Sequence, residues 1–232
     1  MIDTSLDLRS DASGDADTYS PTMRRYHRLL WSKPLPGGKR FDLEEAGRKG
    51  SYYLVHSSEL GDFKLSSDAI TTRLLKQAKR VVAQIPPENM PHHRGYTIGS
   101  ALLFPKDPRP GSMTINRARG MNRKISDRFD LTLECIRRHY LGEDSPLAST
   151  LRCYADFFAL FQDFDGYTNF WLLQDLVEDE QVRFWLPFDD FTSPAVPWDV
   201  DSYLGYSKGR EDFITARNLR IDDYASGTPD LA

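Results

Sequence analysis

Two stretches decide the fold: Thr97-Ile98-Gly99-Ser100-Ala101-Leu102-Leu103-Phe104-Pro105 and Ser126-Asp127-Arg128-Phe129-Asp130-Leu131-Thr132-Leu133-Glu134-Cys135-Ile136-Arg137-Arg138-His139-Tyr140. The first is a short apolar run closed by proline, the signature of a strand covered on both faces. The second repeats its apolar residues at helical spacing. Phe129, Leu133, Ile136 and Tyr140 fall on one stripe, and Asp127, Asp130, Glu134, Arg137 and Arg138 on another. The period changes midway along the chain, from strands before to helices after. That order predicts an α+β domain over 1–221, a small N-terminal mixed sheet packed by a mostly helical C-terminal half, with 222–232 as a frayed tail.

Toward the N-terminus, Ile2, Thr4, Leu6 and Leu8 alternate with Asp3, Ser5, Asp7 and Arg9, which reads as a half-buried strand. Ser20-Pro21 places a cap and a first-turn proline before a helix ending near Trp31. Phe41–Leu43, Tyr52–His56 and Phe63–Leu65 read as strands. Ser66-Ser67-Asp68 reads as the cap of a helix to about Ile85, stopped by Pro86-Pro87. A long loop rich in Pro, Gly and Arg is expected from Pro105 to about Ile125, and loops of more than about 15 residues in compact domains are commonly functional.

Toward the C-terminus, Ser126 reads as the cap of a helix from Asp127 to about Leu141, ended by Gly142 at a left-handed position. Ser145-Pro146 opens the next helix, with Leu147, Leu151, Tyr154, Phe158 and Phe161 inward. A turn at Asp165-Gly166, a helix from about Tyr167 to Glu178, a strand over Val182–Leu186 and a helix from Asp199 to about Ile221 complete the reading. The aromatic density of 154–191 is expected in the core, with Gln174-Asp175 as a buried hydrogen-bonding pair. Leu74, Phe104, Phe129, Leu133, Ile136, Phe158, Phe161 and Trp171 are the expected core residues.

The 232 residues are 40% hydrophobic and 28% charged, enough for one core without staples. Two cysteines exclude a disulfide scaffold, and Cys135 and Cys153 read as core thiols. No apolar run approaches the roughly 20 residues that span a bilayer, and the acidic first twenty residues do not resemble a leader. The expected protein is soluble and cytoplasmic, with no membrane partner. Phosphate-loop, dinucleotide, nucleophile-elbow and zinc-protease motifs are absent from the sequence. His92-His93 are adjacent, so their side chains diverge, and no metal site is nominated. The sequence leaves the identity of any cofactor open.

The formal net charge is −4, unevenly spread. Nine basic residues and four acidic ones lie between Lys106 and Arg138, whereas the chain from Asp175 onward has thirteen acids and five bases. A basic middle on an acidic chain steers an anion to one place. The expected site is therefore a phosphate-bearing ligand, a nucleotide or nucleic acid. Arg117, Arg119, Arg123 and Arg138 would grip it with Ser126 at the helix start. Asp127, Asp130 or Glu134 would orient the guanidinium groups or act as the base. Salt bridges on a solvated helix face explain the same residues without a ligand. Two other functions stay open: a protein–protein interaction module without chemistry, and a metal-dependent nuclease using Asp62-Phe63-Lys64 with Asp42 or Glu44.

Several strings carry a resemblance over nearly the whole chain, from Ile2 to Ile221. They are Arg24-Arg25-Tyr26-His27-Arg28-Leu29-Leu30-Trp31-Ser32-Lys33-Pro34-Leu35-Pro36-Gly37, Tyr96-Thr97-Ile98-Gly99, Ala118-Arg119-Gly120, the 127–140 helix and Gln174-Asp175-Leu176-Val177. They resemble a bacterial domain family of unknown function. The resemblance implies a bacterial, cytoplasmic, single-domain protein and brings no activity with it.

Overall fold

In the computed structural model, which describes residues 2–48, 50–70, 78–93 and 95–228, the apolar run becomes strand β4 (Ala101–Pro105), buried along its whole length. It is the last strand of a four-stranded sheet formed with β1 (Glu44–Arg48), β2 (Ser51–Ser58) and β3 (Gly61–Ala69), in the order β1-β2-β3-β4. Every pairing is antiparallel, so the sheet is not mixed. Tight turns join β1 to β2 and β2 to β3 and force those pairs antiparallel, whereas residues 70–100 separate β3 from β4 and bring β4 back antiparallel beside it.

Helix α2 (Pro21–Trp31) begins as read, with the Ser20 hydroxyl accepting from Met23 N–H, and it follows a single turn, α1 (Ala16–Tyr19). After a short turn of helix, α3 (Lys79–Val82), and strand β4, the chain is mainly helical. The helices are α4 (Ile115–Met121), α5 (Phe129–Leu141), α6 (Ala148–Arg152), α7 (Ala155–Ala159), α8 (Phe164–Phe170) and α9 (Val200–Ser226). The two-residue strands β5 (Val177–Glu178) and β6 (Gln181–Val182) pair between α8 and α9. Asp199 and Ser202 form a reciprocal cap at the start of α9. Gly142 takes φ 71° after α5, the left-handed conformation expected of it. None of the described helices is long and apolar enough to cross a membrane.

Local side chains redirect several elements. Residues 2–9 are not a strand: the Asp3 and Asp7 carboxylates accept from Ser5 and Arg9 N–H and turn the backbone, although Ile2 and Leu8 are still buried. Ser66, Ser67 and Asp68 do not cap a helix, because β3 continues through them opposite Phe104, Leu103 and Leu102. Residues 71–77 of the expected helix lie outside the described residues. The long loop contains α4, capped by the Thr114 hydroxyl at Arg117 N–H. Helix α5 starts two residues late, since Ser126 (φ 50°) and Asp127 (φ 61°) are left-handed and Arg128 holds the cap position. Gly166 is helical and not a turn residue. A Cβ there would sit 2.0 Å from the Phe161 carbonyl oxygen, so only glycine lets α8 approach. Gln174 and Asp175 do not pair together: Gln174 bonds Asn169, and Asp175 bonds Arg220.

One apolar cluster runs from Ile2 to Ala225 and includes Phe104, Phe129, Leu133, Ile136, Phe158, Phe161 and Trp171. Leu74 lies outside the described residues. At its centre the Trp31 and Trp171 rings meet edge-on at 5.1 Å, with Phe161 5.6 Å from Trp171 and Phe41 5.3 Å from Phe170. Edge contacts of this kind add to the area term for buried rings. Phe158 is 1% exposed, so Phe158→Ala should cost about 3–5 kcal/mol in chemical denaturation. A loss below about 1 kcal/mol would mean that the site collapses around the deletion.

Candidate functional site

Helix α4 turns Arg119 inward, to 1% exposure. Its Nε donates to Thr132 Oγ1 (3.2 Å), one terminal nitrogen to Asp68 Oδ2 (2.5 Å) and the Ala69 carbonyl (3.2 Å), and the other to the Asp127 carbonyl (2.9 Å). The Asp127 carboxylate lies 3.5 Å from Nε. Asp68 sits at the end of β3. Burial raises its pKa above the usual carboxylate range despite the facing guanidinium. Beside Asp68 is Asp17 of α1, which accepts a short hydrogen bond from the Tyr96 hydroxyl. Burial first, and the Asp68 charge next, push the Asp17 carboxyl up to about 6.

A hydrogen-bonded chain leads from this acidic centre into the core. Trp31 Nε1 donates to His27 Nδ1 (3.0 Å), which leaves the ring proton on Nε2, facing Ser67 Oγ at 3.0 Å. The Ser67 hydroxyl in turn bonds Asp17. Burial, and then the Arg217 charge, lower the His27 pKa to about 3, so the imidazole is neutral.

Arg217 of α9 lies beyond Trp31 and is fully buried. It donates to the carbonyls of Trp171 (3.0 and 3.2 Å), Gly99 (2.8 Å) and Ala101 (2.9 Å). Its partners are all backbone oxygens, and burial pulls its pKa down to about 9. Lys33, just past α2, directs its ammonium at three rings: Trp31 (4.9 Å), Phe170 (4.8 Å) and Tyr224 (4.6 Å). Burial, then Arg217, lower Lys33 to about 7. Among the described residues neither cation has a carboxylate partner. Lys33 lines an open cleft of about 430 Å³ with Pro34, Leu35, Pro36, Asn169, Phe170 and Tyr224.

The residues nominated from sequence are spread over four places. Arg119 and Asp127 meet, as described. Asp130 is fully buried and takes Arg128 Nε (3.0 Å), its terminal nitrogen (2.5 Å) and Trp185 N–H (2.9 Å). Glu134 holds Arg137 (2.8 Å) and Arg138 (2.7 Å). Arg117 and Arg123 are exposed, the former against the Met121 sulfur, and the Ser126 hydroxyl donates to the Arg123 carbonyl. Arg117, Arg119 and Arg123 therefore do not converge, and the donors of Arg119 are taken up by protein oxygens. For the nuclease reading, Lys64 pairs with Asp107 and Asp42 with Arg40, and no metal-ligating group of three forms among the described residues. Cys135 is buried, its thiol pushed up to about 12, whereas Cys153 is half-buried.

The cationic centre was missed in the sequence, although α9 carries its trace. Tyr203, Tyr206, Arg210, Phe213, Ile214, Arg217 and Ile221 share one buried helical stripe, and arginine on such a stripe signals a buried charge.

Removing the Arg119 side chain would take the guanidinium away from Asp68 and Asp127. Arg119→Ala should cost about 3–5 kcal/mol, far from the silent change expected of a loop arginine. Denaturant unfolding measures it, and a cost under about 0.5 kcal/mol would refute the buried network. Asp17 gives a pH signature. Its raised pKa stabilises the fold below about pH 4, and that contribution is lost as pH rises through about 6. Asp17→Asn should raise Tm relative to the parent at about pH 8 and leave it nearly unchanged at about pH 4.

A family model described as "Family of unknown function (DUF6994)" matches residues 2–221. Neither a curated protein nor a solved structure matches the chain. The match covers the sheet, both buried charge centres and α9 as far as Ile221, and the chain belongs to this family of unknown function.

Proposed function

We propose that this protein binds a small anionic ligand, phosphate-bearing and no larger than a mononucleotide, in the cleft at Lys33. The observation that carries the reading is the pair of cations, Lys33 and Arg217, that lacks a carboxylate among the described residues. Two like charges in a low-dielectric setting raise each other's cost, and an anion at the cleft relieves both. The cleft volume lies in the range of small-molecule sites, and the Phe170 and Tyr224 rings supply an apolar wall. The ligand class expected from the arginine loop is retained here, and the residues are different.

The groups around Lys33 set the pH dependence. Arg217 and Tyr224 face it from α9, His27 and Trp31 lie behind it on α2, and Phe170 closes it from α8. A bound anion favours the ammonium form, so affinity is present below about pH 7 and is lost above it. Calorimetric titration with AMP, and with sulfate, whose charge is constant over this range, should show tighter binding at about pH 6 than at about pH 8. Lys33→Met should weaken binding by about tenfold or more, and Arg117→Ala and Arg123→Ala should leave it unchanged. Unchanged binding by Lys33→Met, or loss in the loop variants, would overturn the assignment.

A further inference from the structure

We propose that Lys33 is a nucleophilic amine that forms an imine with a small anionic aldehyde or ketone bound in its cleft. The proposal rests on the anion-binding reading above and gives the ligand a reacting group. Its basis is geometric. The chain has nine lysines. Lys39, Lys64, Lys106 and Lys208 are held in ion pairs with carboxylates. Lys79 and Lys124 are exposed. Lys33 instead ends among three aromatic rings beside a buried guanidinium, with no oxygen partner among the described residues, and it opens on a cleft. A neighbouring cation and an apolar cage are the two environments that release a lysine amine from protonation. The lowered pKa of Lys33, about 7, agrees with that geometry.

The chemistry needs no further reagent. The Nζ lone pair attacks the carbonyl carbon, and the carbon–oxygen π pair moves to oxygen, which takes the proton released by nitrogen. The resulting carbinolamine takes a proton from solvent water on its hydroxyl oxygen and loses it as water, while the nitrogen lone pair forms the C=N bond of a cationic iminium. No electron is transferred to or from an outside acceptor. The iminium regains the positive charge that the Trp31, Phe170 and Tyr224 faces hold by cation–π attraction. The field of Arg217 attracts the carboxylate or phosphate of the same molecule.

Reductive trapping tests the step. The intact protein at about pH 7 is incubated with succinic semialdehyde, or with butyraldehyde as its uncharged counterpart, and sodium cyanoborohydride, then mapped by peptide mass spectrometry. The expected result is one dominant adduct on Lys33, formed about tenfold faster than on any other lysine and faster with the charged aldehyde. Lys33→Arg has no primary amine and should lose the adduct, whereas Lys79→Arg, at an exposed lysine, should leave the adduct on Lys33 in place. Adducts spread over the lysines by exposure, or none at Lys33, would overturn imine formation. If sulfate binding persists in that case, only this inference fails. If Lys33→Met also binds sulfate as the parent does, the anion-binding reading fails with it.

Discussion

A buried guanidinium bonded to backbone carbonyls is the contact on which the arrangement of layers depends. Arg217 joins α9 to the carbonyls of Gly99 and Ala101 at the start of β4, and to the Trp171 carbonyl at the end of α8. Those oxygens would otherwise be buried acceptors without donors, which a core does not tolerate cheaply. Close by, Asn218 accepts from Gly99 N–H (2.9 Å). A Cβ at Gly99 would lie 2.2 Å from the same oxygen, so glycine is required for α9 to dock. Sheet, aromatic cluster and last helix are thus held in one register by directed bonds as well as by area.

The interior has two charged centres of opposite character. Around Arg119, among the described residues, are Asp17, Asp68 and Asp127, and burial raises the Asp17 and Asp68 pKa values. Around Trp31 are Arg217 and Lys33, an excess of cation that burial offsets by lowering both. The neutral His27 and Ser67 lie between them and carry hydrogen bonds without adding charge. Desolvation can exceed Coulomb attraction for buried ions, so such separation is costly to stability.

Parts of the fold were legible because they depend on neighbours in sequence. Ser20-Pro21 caps α2, Asp199 caps α9 and Gly142 ends α5 through contacts within one turn. The apolar stripe of α5 and the run at β4 mark burial wherever they pack. The errors arose where a polar side chain had both a local and a distant partner. Ser67 and Asp68 have the composition of a helix cap, yet β4 offers them a ladder and His27 and Arg119 offer them partners. Ser126 likewise has cap chemistry, but Arg119 accepts the Asp127 N–H at its carbonyl and holds that pair left-handed.

The candidate site divides in the same way. Composition and spacing alone determined the α+β class, most of the core and the basic middle segment in which Arg119, Asp127 and Asp130 lie. Only the tertiary structure decided which charges meet. Arg119 and Asp68 are 51 residues apart, and Lys33 and Tyr224 come from opposite ends of the chain. Periodicity reports which side of an element is apolar, because that is a property of one segment. Whether an arginine faces water, a carboxylate or a carbonyl depends on the segment packed against it, which no local pattern records.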